Sequence, residues 1–420
     1  MQSSSTASAA LAPADTSRSG LSILIMAIAA FIIVTTEFLI VGLLPALSRD
    51  LNISIALAGQ VVTLFAFTVM LFGPVLTAKL AHVERKKLFT LILMVFAASN
   101  VLAAVSTNIW VLALARFIPA LALPVFWGTA SETAGQFLAR FIPALALPVF
   151  WGTASETAGQ LASLGQSGKA VGRVYLGITA ALVFGVPLGT LAADSVGWRG
   201  SFWILAGTSF FIGVLMHLVM PKLPVSAGSH PDQKQTAILR QPRFLAHLLL
   251  SILTFTALFT AYTYLADILE RLGNIPAGQV GWWLMGFGAI GMVGNHLGGS
   301  MVDRKPLLAT VVFLVLAGAG MVAAVPLAPY HIWLIVALMA WGIGYTALFV
   351  VCQVRVMQAG AQAQALAATM NISAANAGIG LGAIIGGVGI GHFGIASIGV
   401  IATLIAALAV IVALLMMRRQ

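Results

Sequence analysis

The chain has 420 residues, of which 60% are apolar and only 8% charged, and its mean hydropathy is +1.04. This balance excludes a soluble globular domain. A net charge of +10 would fit nucleic-acid binding, but the basic residues sit in short breaks between apolar runs, where they report membrane topology instead. The single cysteine, Cys352, excludes an internal disulfide.

From Leu21 to Met417, runs of apolar residues follow one another with short polar breaks. A bilayer core of about 30 Å requires roughly 20 such residues per helix. The chain therefore reads as an all-α polytopic membrane protein. Residues 1–20, rich in Ser and Ala, predict a disordered tail. Spans are expected near 21–45, 56–80, 88–105, 109–131, 171–193 and 200–220. A polar linker over 221–243 follows, and then spans near 244–268, 279–302, 306–325, 332–352, 365–390 and 394–417. The expected domains are an N-terminal six-helix bundle over 21–220, the linker on the cytoplasmic side, and a C-terminal six-helix bundle over 244–420.

One segment disturbs this count. Leu114–Gln136 recurs verbatim at Leu138–Gln160, with Phe137 between the copies. If only one copy crosses the membrane, 16 of the 21 Lys and Arg fall on one side and three (Arg49, Arg199 and Arg271) on the other. An extra crossing would split them far more evenly. The positive-inside rule selects the first arrangement, with both termini cytoplasmic. Either copy is able to serve as the fourth span, and the sequence does not choose between them.

The two halves echo each other. Basic turns follow the second span of each half, Leu76–Lys87 and Gly298–Lys305. The fifth span carries Gly185-Val-Pro187-Leu-Gly189, and its counterpart is rich in Gly between Gly378 and Gly387. Parallel six-helix repeats are a known transporter plan.

Over residues 21–417 the chain resembles the major facilitator superfamily, specifically its twelve-span drug:proton antiporter group. Gly299-Ser-Met-Val-Asp303-Arg304-Lys305 is similar to the family's loop motif G-x-L-x-D-R-x. The first-half loop departs from it, with His82 in place of the Asp and Arg85 in place of the second Gly. Together with Thr36-Glu37-Phe38, Gly42-Leu-Leu-Pro45 and Phe126-Trp127, that loop resembles a branch of sugar (arabinose-type) efflux, purine-ribonucleoside efflux and chloramphenicol-resistance exporters. The resemblance implies two six-helix bundles working by alternating access. It also implies gating roles for Arg85, Lys86, Asp303 and Arg304, and for Gly185, Pro187 and Gly189 of the fifth-span antiporter motif.

Glu37 is the leading candidate for proton coupling. An acid within an apolar span is costly and defaults to a functional reading with a named partner. Desolvation favours the protonated form of a carboxylate, which suits cyclic proton uptake and release. The natural partner is Arg116 or its copy Arg140. From the outer span ends, Glu37 lies about 12 Å deep and Arg116 about 10 Å deep at 1.5 Å per residue. The resemblance also implicates a fourth-span Arg in proton transfer. Permanent pairing for packing, or snorkelling of the Arg to the interface, are the structural alternatives.

A substrate pocket is expected midway between the halves. The mid-depth candidates are Thr36, Trp127, Tyr262, Tyr264, Asn295, Trp341, Tyr345, Asn371 and Asn376. Neutral hydrogen-bonding groups with aromatic faces suit a sugar, a nucleoside or a neutral drug. The sequence has no phosphate-binding loop, no metal-ligand spacing and no catalytic constellation, so an enzyme, a resident cofactor and a metal are not expected. The expected partners are the lipid bilayer of the inner membrane, a small-molecule substrate and protons, with no nucleic acid and a monomeric unit. The leading expectation is a proton-coupled antiporter exporting a small neutral solute. A symporter or facilitator for uptake on the same fold is the first alternative, and a membrane receptor or enzyme the second.

Overall fold

The computed structural model describes residues 16–80, 83–113, 177, 180–221, 237–302, 305–361 and 364–418. These form helices α1 (Thr16–Asp50), α2 (Ile55–Leu80), α3 (Arg85–Ala104), α4 (Val186–Val219), α5 (Pro242–Tyr262) and α6 (Leu265–Arg271). The series continues with α7 (Ala277–Val302), α8 (Pro306–Leu327), α9 (His331–Ala359), α10 (Gln364–Phe393) and α11 (Ile398–Arg418). No strand occurs among the described residues, and eight of their helical stretches are long and apolar enough to cross a membrane. Helix is the form that lets every backbone polar group bond within its own segment in lipid.

Eleven of the expected spans fall on these helices. The fourth span beyond residue 113, and its verbatim copy, lie outside the described residues. Helix α1 starts at Thr16, inside the segment expected to be a tail, five residues before the apolar run that opens at Leu21. Pro242 and Pro306 occupy first-turn positions of α5 and α8, where a missing N–H costs nothing.

The fifth and sixth spans adjoin within α4 and are broken at Gly197 (φ 74°, ψ 161°). The eleventh and twelfth are separated at Gly394 (φ 77°, ψ 168°), the same left-handed conformation, which a side chain would resist. Asn52 (φ 51°) and Asn274 (φ 50°) likewise follow the first and seventh spans. These four are the positive-φ residues among those described, and they pair off between the halves. The Asn pair lies 222 residues apart and the Gly pair 197, a difference of 25. The repeat falls between Asn52 and Gly197, and one unit with its spacer is 24 residues long. The two halves thus return to nearly common spacing once a single copy is discounted.

Within the second half, α8 and α7 pack on α9, α5 packs on α10, and α11 packs on α8 and α5. In the first half, α1 and α3 pack on α4. Across the halves, α2 lies against α10 and α4 against α7. Glycines permit these approaches: Gly380 of α10 meets the Phe67 ring, and Thr63 Oγ1 donates to the Gly380 carbonyl at 3.3 Å.

Candidate functional site

The middle of the molecule is an aromatic cluster built mainly from α5, α7 and α9. Tyr262 and Tyr345 stack, with ring centroids 4.6 Å apart and planes at 28°. Phe287 packs on both, at 5.8 and 5.7 Å, and meets Trp341 edge-on at 5.5 Å. Phe259 joins Tyr345 (5.8 Å) to Phe38 of α1 (5.9 Å), so the cluster spans both halves. Edge-on and offset ring pairs add to the apolar burial that holds such clusters together.

Beside this cluster is a cavity of about 10 Å³, lined by Val186 and Pro187 of α4, Tyr262 of α5, Leu284, Phe287 and Gly288 of α7, and Tyr345 and Thr346 of α9. That is room for about one water. Among the described residues, this cavity is too small for a solute of sugar size, which would require the helices that line it to separate.

Glu37 is half-buried on α1, one residue before Phe38, and its carboxylate lies within electrostatic reach of Tyr345. Thr36 is buried beside it and accepts a hydrogen bond from Asn100 Nδ2 of α3 at 3.3 Å. The expected partners of Glu37, Arg116 and Arg140, lie outside the described residues, as do Trp127 and the expected gating residues Asp303 and Arg304.

Pro187 takes a place in the cavity wall. A π-helical turn, Ala181–Gly185, ends two residues before it, with the Val186 N–H bonded to the Ala181 carbonyl. Proline lacks an N–H and its ring crowds the preceding turn, so the helix widens there. Gly185 and Gly189 face α1 instead: a side chain at Gly185 would strike Thr35, and one at Gly189 would strike Leu39. Gly42 of α1 returns the contact against Thr190. The fifth-span motif thus combines close packing on α1 with a cavity-lining proline.

The other expected site residues are dispersed. Trp341 is fully buried behind Phe287, its Nε1 without a hydrogen-bond acceptor among the described residues. Asn371 donates to Gln353 Oε1 at 2.6 Å, and Asn376 donates to the Ile372 carbonyl at 3.0 Å. Asn295 is half-buried on α7. Arg85 is buried at the start of α3, Lys86 is half-buried, and exposed Lys87 pairs with Glu84 at 3.4 Å.

Tyr264 lies away from the cavity. It sits at the break between α5 and α6, fully buried, and its hydroxyl donates to the Ala383 carbonyl of α10 at 2.8 Å. Its ring covers Gly59 of α2, leaving no space there for a side chain, and also touches Gly386 and Gly387. A tetrapeptide explains the arrangement. Ala58-Gly59-Gln60-Val61 opens α2, and Ala277-Gly278-Gln279-Val280 opens α7. Gly59 admits Tyr264 from the opposite half, and Gly278 admits the Asp194 carboxylate from the opposite half. At the same end, Arg49 donates to both oxygens of Glu270 at 2.8 and 3.0 Å, and Asp267 pairs with Arg271 at 2.9 Å. Asp50 accepts from Trp198 Nε1 at 3.0 Å and also pairs with Arg199.

Reading for polar residues missed the phenylalanines of the cluster and the role of the shared tetrapeptide. Both had a signal: Phe255, Phe259 and Tyr262 share one face of a helix, as do Tyr345 and Phe349, and the tetrapeptide recurs letter for letter.

A family model described as Major Facilitator Superfamily matches residues 26–136 and 120–371. The chain belongs to the Major Facilitator Superfamily. The two matched stretches overlap within the first copy of the repeat. As a superfamily member the chain is a membrane transporter of small solutes. It is 30% identical over 400 residues to the "Inner membrane transport protein YdhP" of Escherichia coli (strain K12), covering 95% of this chain and 96% of that one. It is 28% identical over 379 residues to a "Probable sugar efflux transporter" of Helicobacter acinonychis (strain Sheeba), covering 90% of each. Among solved structures, a bacterial homologue of the human lysosomal transporter Spinster, in an inward-facing and occupied conformation, superposes with TM-score 0.71 at 14% identity, covering 95% of this chain and 97% of the other. The nucleoside transporter NupG superposes with TM-score 0.69 at 16% identity, covering 95% and 98%. At these identities the solved structures establish the fold alone.

Proposed function

We propose that the protein is a proton-coupled antiporter that exports a small neutral solute, a sugar foremost, across the inner membrane. The carrying observation is the position of Glu37, an acid on a membrane span beside an aromatic, hydroxyl-bearing centre. The relatives named for sugar efflux and for inner-membrane transport support the solute class, the direction and the location.

In this reading the bundles 21–220 and 244–420 rock about the central cluster, joined by the linker 221–243. Both termini face the cytoplasm, which places Arg49, Glu270 and the Gly59–Tyr264 contact at the outer face. The outer ends are then clasped and the centre is collapsed. Solute enters from the cytoplasm when the inner ends part, against Tyr262, Tyr345 and Thr346. Opening of the outer clasp releases it. Glu37 takes up a proton from outside in that state and surrenders it inside, with Arg116 or Arg140 holding the charged form. The protein works as a monomer, because each chain carries both halves of the path.

The test is substrate-dependent proton movement in proteoliposomes, with arabinose, a purine nucleoside and chloramphenicol as ligands and Glu37→Gln alongside. Substrate-induced proton flux that Glu37→Gln abolishes is expected. Solute movement without proton flux would replace antiport by facilitation. Proton flux surviving in Glu37→Gln would move the proton site elsewhere.

A further inference from the structure

On its lipid-facing side the protein carries a second, larger hollow. A groove of about 590 Å³ lies between α7 and α9, lined by Trp282, Gly286, Phe287 and Ala289 on one wall and Ile335 and Met339 on the other. Its volume falls in the range of small-molecule sites. The lining is overwhelmingly apolar. A Cβ added at Gly286 would meet nothing within 4 Å, so that glycine is the floor of an open trough, not a packing contact.

Three observations point to its occupant. The groove is continuous with surface that only lipid can cover: Ile332, Ile335 and Val336 are 79%, 47% and 52% exposed. One end carries aromatics of the kind that sit at headgroup level, with Trp282, Tyr330 and Trp333 each about three-fifths exposed. From Trp282 to Ile290 the groove then runs about 12 Å along α7, at 1.5 Å per residue, toward the interior of the span. A headgroup at the aromatic rim would send its chain down this trough. Phe287 links the groove to the centre. It lines both the groove and the closed cavity, and it stands between Gly286, which opens to the groove, and Gly288, which lines the cavity. One ring therefore separates a lipid-facing hollow from the Tyr262–Tyr345 stack.

We propose that this groove is a binding site for the acyl chain of a bilayer phospholipid, with Phe287 as the partition between that chain and the central cavity. The site stands on membrane residence alone; its bearing on the cavity rests on the transport reading above. A bound chain backs the Phe287 ring and holds it against Tyr262 and Tyr345.

The test uses the full chain in vesicles of phosphatidylethanolamine and phosphatidylglycerol carrying a small fraction of phosphatidylcholine with a photoactivatable diazirine in one acyl chain, with adducts mapped by mass spectrometry. Adducts at residues 282–290 and 335–339 are expected to exceed, several-fold, those on the lipid-facing positions Leu404, Leu408 and Ile411 of α11. Gly286→Phe, which fills open space, is expected to remove that excess and leave the α11 adducts unchanged. Phe287→Ala is expected to add adducts at Tyr262, Tyr345 or Thr346. Equal labelling of groove and α11, or an excess that persists in Gly286→Phe, would reduce the groove to ordinary annular contact and overturn the site. Labelling that stops at the groove in Phe287→Ala would overturn the partition. None of these readings depends on transport, so a failed flux assay leaves them intact.

Discussion

Arg49 and Glu270 join the end of the first span to the end of the seventh, with one guanidinium nitrogen bonded to both carboxylate oxygens at 2.8 and 3.0 Å. The pair links the two halves at the end where Tyr264 fills the space over Gly59. Arg49 is 60% exposed, and exposed ion pairs contribute only about 0–1 kcal/mol. In the proposed transport cycle, the pair therefore biases an equilibrium between states more than it holds the fold. Arg49→Glu is expected to leave the melting temperature nearly unchanged. It should raise labelling of a cysteine placed at Leu284 by a membrane-impermeant maleimide added from outside, and the swap Arg49→Glu with Glu270→Arg should restore protection. Protection unaffected by Arg49→Glu would remove the pair from the clasp.

Gly59 and Tyr264 supply the apolar part of the same clasp. A larger residue at Gly59 must displace the Tyr264 ring, which is buried and fixed by its bond to the Ala383 carbonyl. Overpacking of this kind costs about 1–3 kcal/mol. Gly59→Val is expected to open the outer face strongly in the same labelling assay, and Tyr264→Ala to relieve the clash and partly reclose it. Tyr264→Phe keeps the ring and removes one hydrogen bond, for a loss of about 0.5–1.5 kcal/mol in thermal unfolding. If the double variant is no better closed than Gly59→Val, the contact is not the source of closure.

Arg355 is the buried cation of the second half. It is 1% exposed and donates to the His247 carbonyl (3.2 Å) and Ser251 Oγ (2.9 Å) of α5 and to Thr310 Oγ1 (3.2 Å) of α8, with no carboxylate partner among the described residues. Its guanidinium thereby ties α9 to two neighbours. Arg355→Lys keeps the buried charge but cannot span acceptors on two helices, and a cost of about 1–3 kcal/mol is expected. Arg355→Met removes the charge together with the bonds. Removing a buried charge in favour of a packed apolar side chain is frequently neutral, and Thr310 retains its bond to the Pro306 carbonyl. Thermal unfolding in detergent should rank Arg355→Met above Arg355→Lys. The reverse order would mean that the charge itself is required.

The spacing of the paired turns makes a prediction about the repeat. Because the halves return to nearly common spacing when one 24-residue unit is discounted, we propose that this unit is an addition to the six-helix plan expected of the first half. Deleting Phe137–Gln160 is expected to preserve folding, to leave the melting temperature equal or higher, and to preserve or raise transport. A deletion variant that fails to insert or unfolds earlier would show that both copies are structural.

Most of the architecture was legible from hydropathy and charge. Long apolar runs in lipid have one economical backbone solution, so the described spans appear as helices within a few residues of where periodicity and polar breaks put them. Glu37 was legible for the same reason, since a lone acid in an apolar run stands out in one dimension. The clasp residues were not. Tyr264 read as a mid-span aromatic facing solute, whereas the chain breaks between Tyr262 and Leu265 without Gly or Pro at the break and turns that ring against α2 and α10. The contacts that Tyr264 makes there, with Gly59 and the Ala383 carbonyl, are on distant segments, and nothing local announces them.

The sequence by itself determined that the chain is a bundle of membrane helices in two related halves, because solvent transfer and topology depend on composition and order alone. It also determined that an ionisable group lies within the first span. Only the tertiary structure decided which aromatics meet at the centre, that the cavity beside them has room for about one water, and that two copies of one tetrapeptide receive side chains from opposite halves. Those outcomes depend on which helix faces touch, and close approach at Gly59, Gly185 and Gly278 is set by Tyr264, Thr35 and Asp194, each on a different helix and far away along the chain.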